Sequence, residues 1–298
     1  MQLKGLIIRN IKLFFKDKGL VISSMITPMI LILLYMTFLR NVYVDSFHSA
    51  LPEGITLDDK YINGFVYGWL FSSLLATSCV TVSFCSNLLM VQDKVTGAID
   101  DISVSPIRKE KIAIAYYVAS MVVTLIICYL EMIIGFIIMG ATGWFLSIKD
   151  VIGIIVGVFL LVNFGTALSS IIHHFLSTQG QMSAVGTLVS SIYGFICGAY
   201  MPISQFGSFL QKVLGFLPGT YGTNLLRYHF ENGVLTSLHQ TQNFPIEVVN
   251  GISSNFDISL KFFAKDVKIQ TCYIILIVSL VVLLGTYILI NRKHKKSK

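Results

Sequence analysis

Charged residues are scarce in this 298-residue sequence, since Asp, Glu, Lys and Arg together make up 12% of it. A soluble globular domain carries about 25% charged residues, so the composition excludes an ordinary soluble protein. Hydrophobic residues make up 54% of the chain, and the mean hydropathy is +0.76. The sequence therefore predicts a membrane protein whose apolar surface is taken up by lipid.

Several motifs of binding and redox chemistry are also missing. No G-x-x-x-x-G-K-[ST] loop occurs, so we expect no nucleotide phosphate, and no cofactor, to bind to this chain. No C-x-x-C pair occurs, which leaves no sign of a zinc site or a redox pair. The five cysteines fall within or at the edges of apolar stretches and are interpreted as small packing residues: Cys79, Cys85, Cys128, Cys197 and Cys272.

Six apolar stretches are long enough to cross the hydrocarbon layer as helices, which takes about 20 residues each. They are 20–40, 63–91, 112–139, 151–175, 182–201 and 270–290. We therefore predict an all-α polytopic membrane protein with six transmembrane helices, built as a single transmembrane domain over residues 1–298.

Lys and Arg concentrate on one side of these predicted spans. With the N-terminus inside, fourteen of the 22 basic residues fall in cytoplasmic segments. This bias predicts a cell-membrane protein with both termini in the cytoplasm. The net charge of +7 is thus a signal of topology, and no nucleic-acid partner is expected. The first apolar run is too long for a cleaved signal peptide.

Residues 1–19 precede the first span and mix apolar and basic side chains. The apolar ones fall on a single helical stripe, with cations around it: Leu6, Ile7, Ile11, Phe14 and Phe15. This pattern predicts an amphipathic helix along the inner leaflet. A basic flank that only orients the first span has the same composition and remains the alternative.

Segment 92–111 is the one long cytoplasmic loop in this topology. Asp100 and Asp101 give it a charged side, and Pro106 ends its helix-like run. The pattern fits a short helix that docks a cytoplasmic partner, and it fits a solvated turn equally well.

Residues 202–230 follow the fifth predicted span and are strongly apolar. Pro202 and Pro218 interrupt the stretch, so it cannot cross the membrane as a lipid-exposed helix. We predict two short helices, at 203–216 and 219–230, that dip into the outer leaflet and return. An ordinary interfacial loop is the alternative.

The remaining boundaries follow from this placement. Residues 20–201 hold the first five spans, 231–269 are expected to form an external loop, and 270–298 hold the sixth span with a basic cytoplasmic tail. Arg227 is expected at the external interface, where its cation meets a phosphate or a carboxylate.

Polar residues inside the spans are few. Ser73, Thr77 and Thr81 recur every four residues in the second span, and Glu131 is the one carboxylate within a span. An intramembrane carboxylate is a functional candidate by default, and small hydroxyl residues also let helices pack closely. A substrate pathway and helix packing both remain open for these four residues.

Two stretches carry a resemblance to a known family. One runs from Gly97 through Asp100 and Asp101 to Pro106, and the other comprises Gly198, Pro202, Gln211, Pro218, Tyr221 and Arg227. By these motifs the chain resembles the membrane subunit of type-2 ABC exporters over nearly its whole length. The first match is looser, because Ala98, Ile99 and Asp100 stand where the family often has Thr-Leu-Glu.

The resemblance implies an amphipathic helix, six spans, a coupling helix between the second and third spans, and two external re-entrant helices. It implies that the first motif couples to separate ATPase subunits, which bind ATP and magnesium, and that the second motif shapes the external re-entrant helices. Further partners would be membrane lipids and a second permease chain, as a homodimer or a heterodimer. The expected function is export of a hydrophobic or amphipathic drug, peptide or toxin, lipid or glycan by a subunit that is not itself an enzyme.

Two other kinds of protein compete with this interpretation. A channel or ion-coupled carrier that needs no ATPase would require paired intramembrane charges or inverted repeats. The predicted spans contain a single carboxylate, Glu131, and no inverted repeat is evident in the sequence. A membrane partner of an ATPase that transports nothing is the third possibility, and the sequence leaves it open.

Overall fold

The computed structural model describes residues 2–51, 57–104, 107–262 and 265–293. Most of these residues are helical. The helices of the first half are α1 Gln2–Lys16, α2 Lys18–Leu34, α3 Arg40–Ser49, α4 Asp59–Ser86, α5 Leu88–Val95, α6 Ala98–Val104 and α7 Lys109–Thr142. Those of the second half are α8 Ile148–Phe175, α9 Gln179–Ile196, α10 Ser208–Leu214, α11 Pro218–Gln240, α12 Ile246–Asn255 and α13 Ile269–Lys293.

Five helical segments of the described chain are long and apolar enough to cross a membrane. They are Lys18–Ser49, Asp59–Val95, Lys109–Thr142, Ile148–Phe175 and Ile269–Arg292. A helical, multi-pass membrane protein is therefore confirmed. The stretch predicted as the fifth span forms α9, whose 18 residues begin with Gln179 and Gln181 and are less apolar than these five. The count of six spans stays a prediction.

The first span is longer than the predicted 20–40. Asp17 caps α2 by accepting from the backbone N–H groups of Gly19 and Leu20, at 2.9 and 3.2 Å. A π-helical turn at Tyr35–Leu39 then joins α2 to α3 without a break. Helix thus continues through Ser49.

Helix α4 lies at the centre of the bundle and packs against α2, α7, α8 and α11. Its large side chains are fully buried, among them Phe65, Trp69 and Leu75. The indole Nε1 of Trp69 donates to the Phe256 carbonyl oxygen at 3.0 Å. This contact connects the core of the bundle to the segment that precedes α13.

Helices α8 and α11 approach closely at glycines. A Cβ added to Gly157 would lie 2.8 Å from Leu226, and one added to Gly222 would lie 2.2 Å from Leu161. Helix packing through small residues accounts for this contact.

Helix α11 begins at Pro218, in the first-turn position that suits a residue without an N–H. It continues to Gln240 and so passes the predicted end at residue 230. The reason is that Val234, Leu235 and Leu238 extend its buried face past Phe230.

The stretch 231–269 is accordingly more than a loop. It contains the end of α11, helix α12 and a two-stranded hairpin of β1 Lys261–Phe262 and β2 Lys265–Asp266.

Candidate functional site

The N-terminal helix is tied to the bundle by an ion pair. Arg9 of α1 donates to both carboxylate oxygens of Asp93 in α5, at 2.6 and 3.3 Å. The Tyr116 hydroxyl of α7 donates to the same carboxylate. This hydrogen bonding to Asp93 raises the pKa of the Arg9 guanidinium, which stays charged. Three elements therefore meet at one carboxylate, which sequence reasoning did not single out.

The neighbouring Lys94 joins α5 to α8. Its ammonium donates to the carbonyl oxygens of His173, His174 and Leu176, at 3.0, 2.7 and 3.1 Å. These are carbonyl groups at the C-terminal end of α8, where a cation is favourable. Arg9, Asp93 and Lys94 thus make α5 the junction between α1, α7 and α8.

The segment predicted to dock a cytoplasmic partner follows α5 directly in the chain. Gly97 has φ +79°, a left-handed conformation that favours glycine, and it ends α5 before α6 begins. Asp100 and Asp101 lie in the first turn of α6 and are exposed to solvent. Pro106 lies outside the described residues. Helix α6 therefore presents two carboxylates on the surface, as a docking helix would.

The hydroxyl row of α4 is enclosed within the chain. Ser73, Thr77 and Thr81 are at most 2% exposed. The hydroxyl of Thr77 donates to the Ser73 carbonyl oxygen and that of Thr81 to the Thr77 carbonyl oxygen, at 3.0 and 3.1 Å. Packing accounts for these contacts, and a pathway role for the three residues stays a prediction.

Glu131 of α7 is also buried, at 6% exposure, beside Ser78 of α4. Neither carboxylate oxygen has a hydrogen-bond partner within the part of the chain that the structure describes. Glu131 is not among the described lining residues of the cavities of about 250, 560 and 750 Å³, and its role in a path stays a prediction.

A long groove runs between α2 and α9. It consists of two adjoining cavities of about 750 and 560 Å³ that share Ile26, Thr27, Ser190 and Ser191. The larger cavity reaches Tyr43 and contains no charged side chain among its described lining residues. The smaller cavity reaches the opposite end of α2 and is more polar, with Asp17, Gln92 and Gln179. The groove is therefore polar at one end and apolar along most of its length.

The second motif is gathered at the turn that follows α9. Gly198 has φ +72°, and its carbonyl oxygen accepts from Arg227 at 2.9 Å. Pro202 precedes a short 3₁₀ turn, Ile203–Gln205, and Gln211 donates to the carbonyl oxygens of Ser204 and Phe206.

Two side chains of α11 donate hydrogen bonds to carbonyl groups at the C-terminal end of α10. The Tyr221 hydroxyl donates to the Gly215 carbonyl oxygen at 2.6 Å, and the Thr220 hydroxyl donates to that of Leu214 at 2.8 Å. Pro218 opens α11 directly after this end. The motif residues therefore hold the chain between α9 and α11 in one conformation.

The prediction for Arg227 is wrong, because the structure buries this residue instead of leaving it at the external interface. Arg227 is 2% exposed and donates to the Ser73 hydroxyl at 3.0 Å. Its guanidinium lies over the Trp69 ring, 4.4 Å from the centroid. The compensating contacts come from α4 and the α9 turn, which are far from Arg227 in sequence.

Two buried acids accompany this cation. Glu231 is fully buried one turn later on α11 and Asp257 is 7% exposed. The Asp257 carboxylate accepts from the Ser204 N–H. Burial raises the pKa of Asp257, and the Arg227 guanidinium opposes that shift. Sequence reasoning missed both acids; Glu231 follows Arg227 at i, i+4 spacing, but its carboxylate oxygens have no hydrogen-bond partner among the described residues.

Comparison with known proteins identifies one family. A family model described as ABC-2 type transporter matches residues 1–230, which is most of the chain and includes both motifs. No curated protein and no solved structure matches the chain.

Proposed function

The chain belongs to the ABC-2 type transporter family, and from that premise we propose that it is the permease subunit of an ATP-driven exporter. The substrate is a hydrophobic or amphipathic molecule: a drug, a peptide or toxin, a lipid or a glycan. The observation that carries this proposal is the groove between α2 and α9, whose larger cavity has an uncharged lining. An apolar surface of this kind accepts the body of an amphipath and gives a charged solute nothing to bind.

The groove is half of the transport path in this proposal. Its walls continue into large apolar side chains that this chain leaves uncovered, such as Met29 at 62%, Leu33 at 63% and Leu188 at 57% exposure. A second permease chain, identical or not, closes the groove by packing on these faces of α2 and α9. Membrane lipids cover the faces that remain.

The topology of the proposal counts α9 as the fifth of six spans. Both termini lie in the cytoplasm, because the basic residues favour that side. The polar end of the groove then opens to the cytoplasm and the apolar part leads to the outer leaflet. Helix α10 and the beginning of α11 are the two re-entrant helices at the exit.

ATPase subunits dock on α6 in this proposal, through Asp100 and Asp101. Closure of the ATPases moves α6, and the contacts of α5 pass the movement on. The Arg9–Asp93 ion pair carries it to α1, and the Lys94 contacts carry it to the end of α8. ATP and magnesium bind to the ATPase, and this chain supplies no group to hydrolysis.

The test is ATP-dependent transport by the full complex. The chain is co-expressed with a Walker-motif ATPase from a neighbouring reading frame, and inside-out vesicles are incubated with a panel of hydrophobic dyes, peptides and lipids. We expect uptake with ATP and none with a non-hydrolysable analogue. Uptake driven by an ion gradient alone would indicate a carrier or channel, and ATPase binding without any uptake would indicate a non-transporting partner; either result would contradict the proposal.

A further inference from the structure

A second, smaller cavity lies away from the groove. It has a volume of about 340 Å³ and opens between α11, the end of α12 and the beginning of α13. Seven of its described lining residues carry hydrogen-bonding side chains, namely Asn224, Tyr228, Asn232, Ser253, Ser259, Lys268 and Gln270. Lys268 is the one cation among the described lining residues, and none of these is a carboxylate. The lining is therefore suited to an anion with further polar groups.

Most of these polar groups are available to a ligand. Within the described ranges, the side chains of Tyr228, Ser253, Lys268 and Gln270 have no hydrogen-bond partner. Asp266, the nearest acid in sequence to the Lys268 ammonium, lies opposite Lys261 in the hairpin. No ion pair joins Lys268 to an acid among the described residues, so its ammonium is available to an anion in the cavity.

The position of Lys268 places the cavity relative to the membrane. Lys268 immediately precedes α13, one of the five helices able to cross a membrane. A lysine directly before a span lies at the level of the lipid headgroups. The cavity thus opens where phosphates of one leaflet are concentrated.

An apolar stripe leads from the cavity into the membrane. Positions four, seven and eleven residues after Gln270 fall on the same face of α13. They are Ile274, Ile277 and Val281, which are 59%, 47% and 64% exposed. A headgroup in the cavity would therefore place its acyl chains directly on this stripe.

We infer that the cavity binds an anionic glycerophospholipid of the leaflet at the N-terminal end of α13. In the orientation given above this is the outer leaflet. The Lys268 ammonium contacts the phosphate, and the hydroxyl and amide groups of Ser253, Ser259 and Gln270 contact a glycerol headgroup. A choline headgroup is disfavoured because it brings a second cation beside Lys268 and finds no carboxylate. The site does not depend on what the chain exports.

The experiment measures lipid retention by the purified full-length chain. Native mass spectrometry in detergent is used to titrate phosphatidylglycerol and phosphatidylcholine with the same acyl chains. We expect phosphatidylglycerol to bind at least fivefold more tightly, and Lys268→Gln to weaken it about fivefold, equivalent to about 1 kcal/mol for one lysine at a membrane surface. Lys265→Gln is the matched control, because it removes the same charge from the hairpin outside the cavity and should bind as the wild type does.

Two further variants separate the headgroup from the acyl chains. Lys268→Arg should keep binding within about twofold, since it keeps the cation. Ile277→Ser should weaken phosphatidylglycerol binding, because it removes an apolar contact of the acyl chains. Soluble glycerol 3-phosphate has no acyl chains, so its weak competition with phosphatidylglycerol for the cavity should be the same in this variant. Equal loss in Lys265→Gln and Lys268→Gln, equal binding of the two lipids, or glycerol 3-phosphate binding as tightly as the lipid would each overturn the inference.

Discussion

Replacing Arg227 with methionine is expected to destabilise the protein by about 3–5 kcal/mol. The guanidinium is buried, and its removal takes away two hydrogen bonds and the contact with the Trp69 ring. Glu231 and Asp257, which are 0% and 7% exposed, lose the electrostatic attraction of the guanidinium, although neither forms an ion pair with Arg227 among the described residues. Methionine fills a similar volume, so the loss of packing is small by comparison.

The individual contacts of Arg227 give the same order of magnitude. Its guanidinium donates to Ser73 at 3.0 Å and to the Gly198 carbonyl oxygen at 2.9 Å, and hydrogen bonds to a charged group contribute about 1.5–3 kcal/mol each. The contact with the Trp69 ring at 4.4 Å adds about 2 kcal/mol when desolvated. Partial protonation of the two acids and entry of water reduce the sum to the range stated.

The assay is thermal unfolding of the detergent-purified protein, followed by size-exclusion chromatography of the remaining folded fraction. Lys212→Met is the control, since it removes an exposed cation from α10. Arg227→Lys should unfold between the wild type and Arg227→Met, because an ammonium lacks the planar fork. Adding Glu231→Leu to Arg227→Met should recover part of the stability. If Arg227→Met unfolds at the same temperature as Lys212→Met, the buried-charge reasoning is refuted.

Three further predictions concern the proposed transport cycle. Asp93→Asn, which removes the charged partner of Arg9, should lower ATP-driven export at least threefold with the ATPase still bound, as vesicle uptake and co-purification measure; export at the wild-type rate would remove the ion pair from the coupling route. Gly97→Pro and Asp100→Lys should each uncouple the complex, so that ATP is still hydrolysed and export is lost. Proline is incompatible with φ +79° at residue 97. Normal uptake by both variants would refute docking on α6. Glu131→Leu should leave uptake unchanged and stability equal or higher, since its carboxylate oxygens have no partner among the described residues; impaired uptake by well-folded Glu131→Gln would instead assign Glu131 to the path.

Much of the architecture could be predicted from the chain alone. Apolar runs of membrane length and an apolar stripe flanked by cations at the N-terminus are local signals, and they anticipated four of the predicted spans and the amphipathic helix α1 closely. The family resemblance drawn from two short motifs is confirmed by the match over residues 1–230. These features depend on composition and on spacing within one helix.

The parts that sequence reasoning missed depend on contacts between distant residues. An arginine beside an apolar stretch looks interfacial when its partners are unknown, and the partners of Arg227 come from Ser73, Trp69 and Gly198. The junction at Asp93 likewise joins residues 84 positions apart. The groove is formed between two helices, and neither helix carries a sequence pattern that predicts it. From the sequence, a substrate path could therefore be suggested only by the polar residues of α4 and α7.

In the proposed transport path, substrate leaves through the groove between α2 and α9. Ser191 lines the groove, and its hydroxyl donates to the Thr187 carbonyl oxygen at 2.8 Å. Thr286 of α13 is also exposed at the surface of the bundle, and its hydroxyl donates to the Val282 carbonyl oxygen, likewise at 2.8 Å. The two positions therefore differ in location and hardly at all in local structure.

The decisive measurement compares ATP-driven uptake by Ser191→Trp and Thr286→Trp in inside-out vesicles, with expression and ATPase binding matched. An indole at residue 191 fills part of the groove, so we predict that uptake falls at least tenfold in Ser191→Trp and stays within twofold of the wild type in Thr286→Trp. Wild-type uptake by Ser191→Trp, or an equal loss in both variants, would contradict export through this groove.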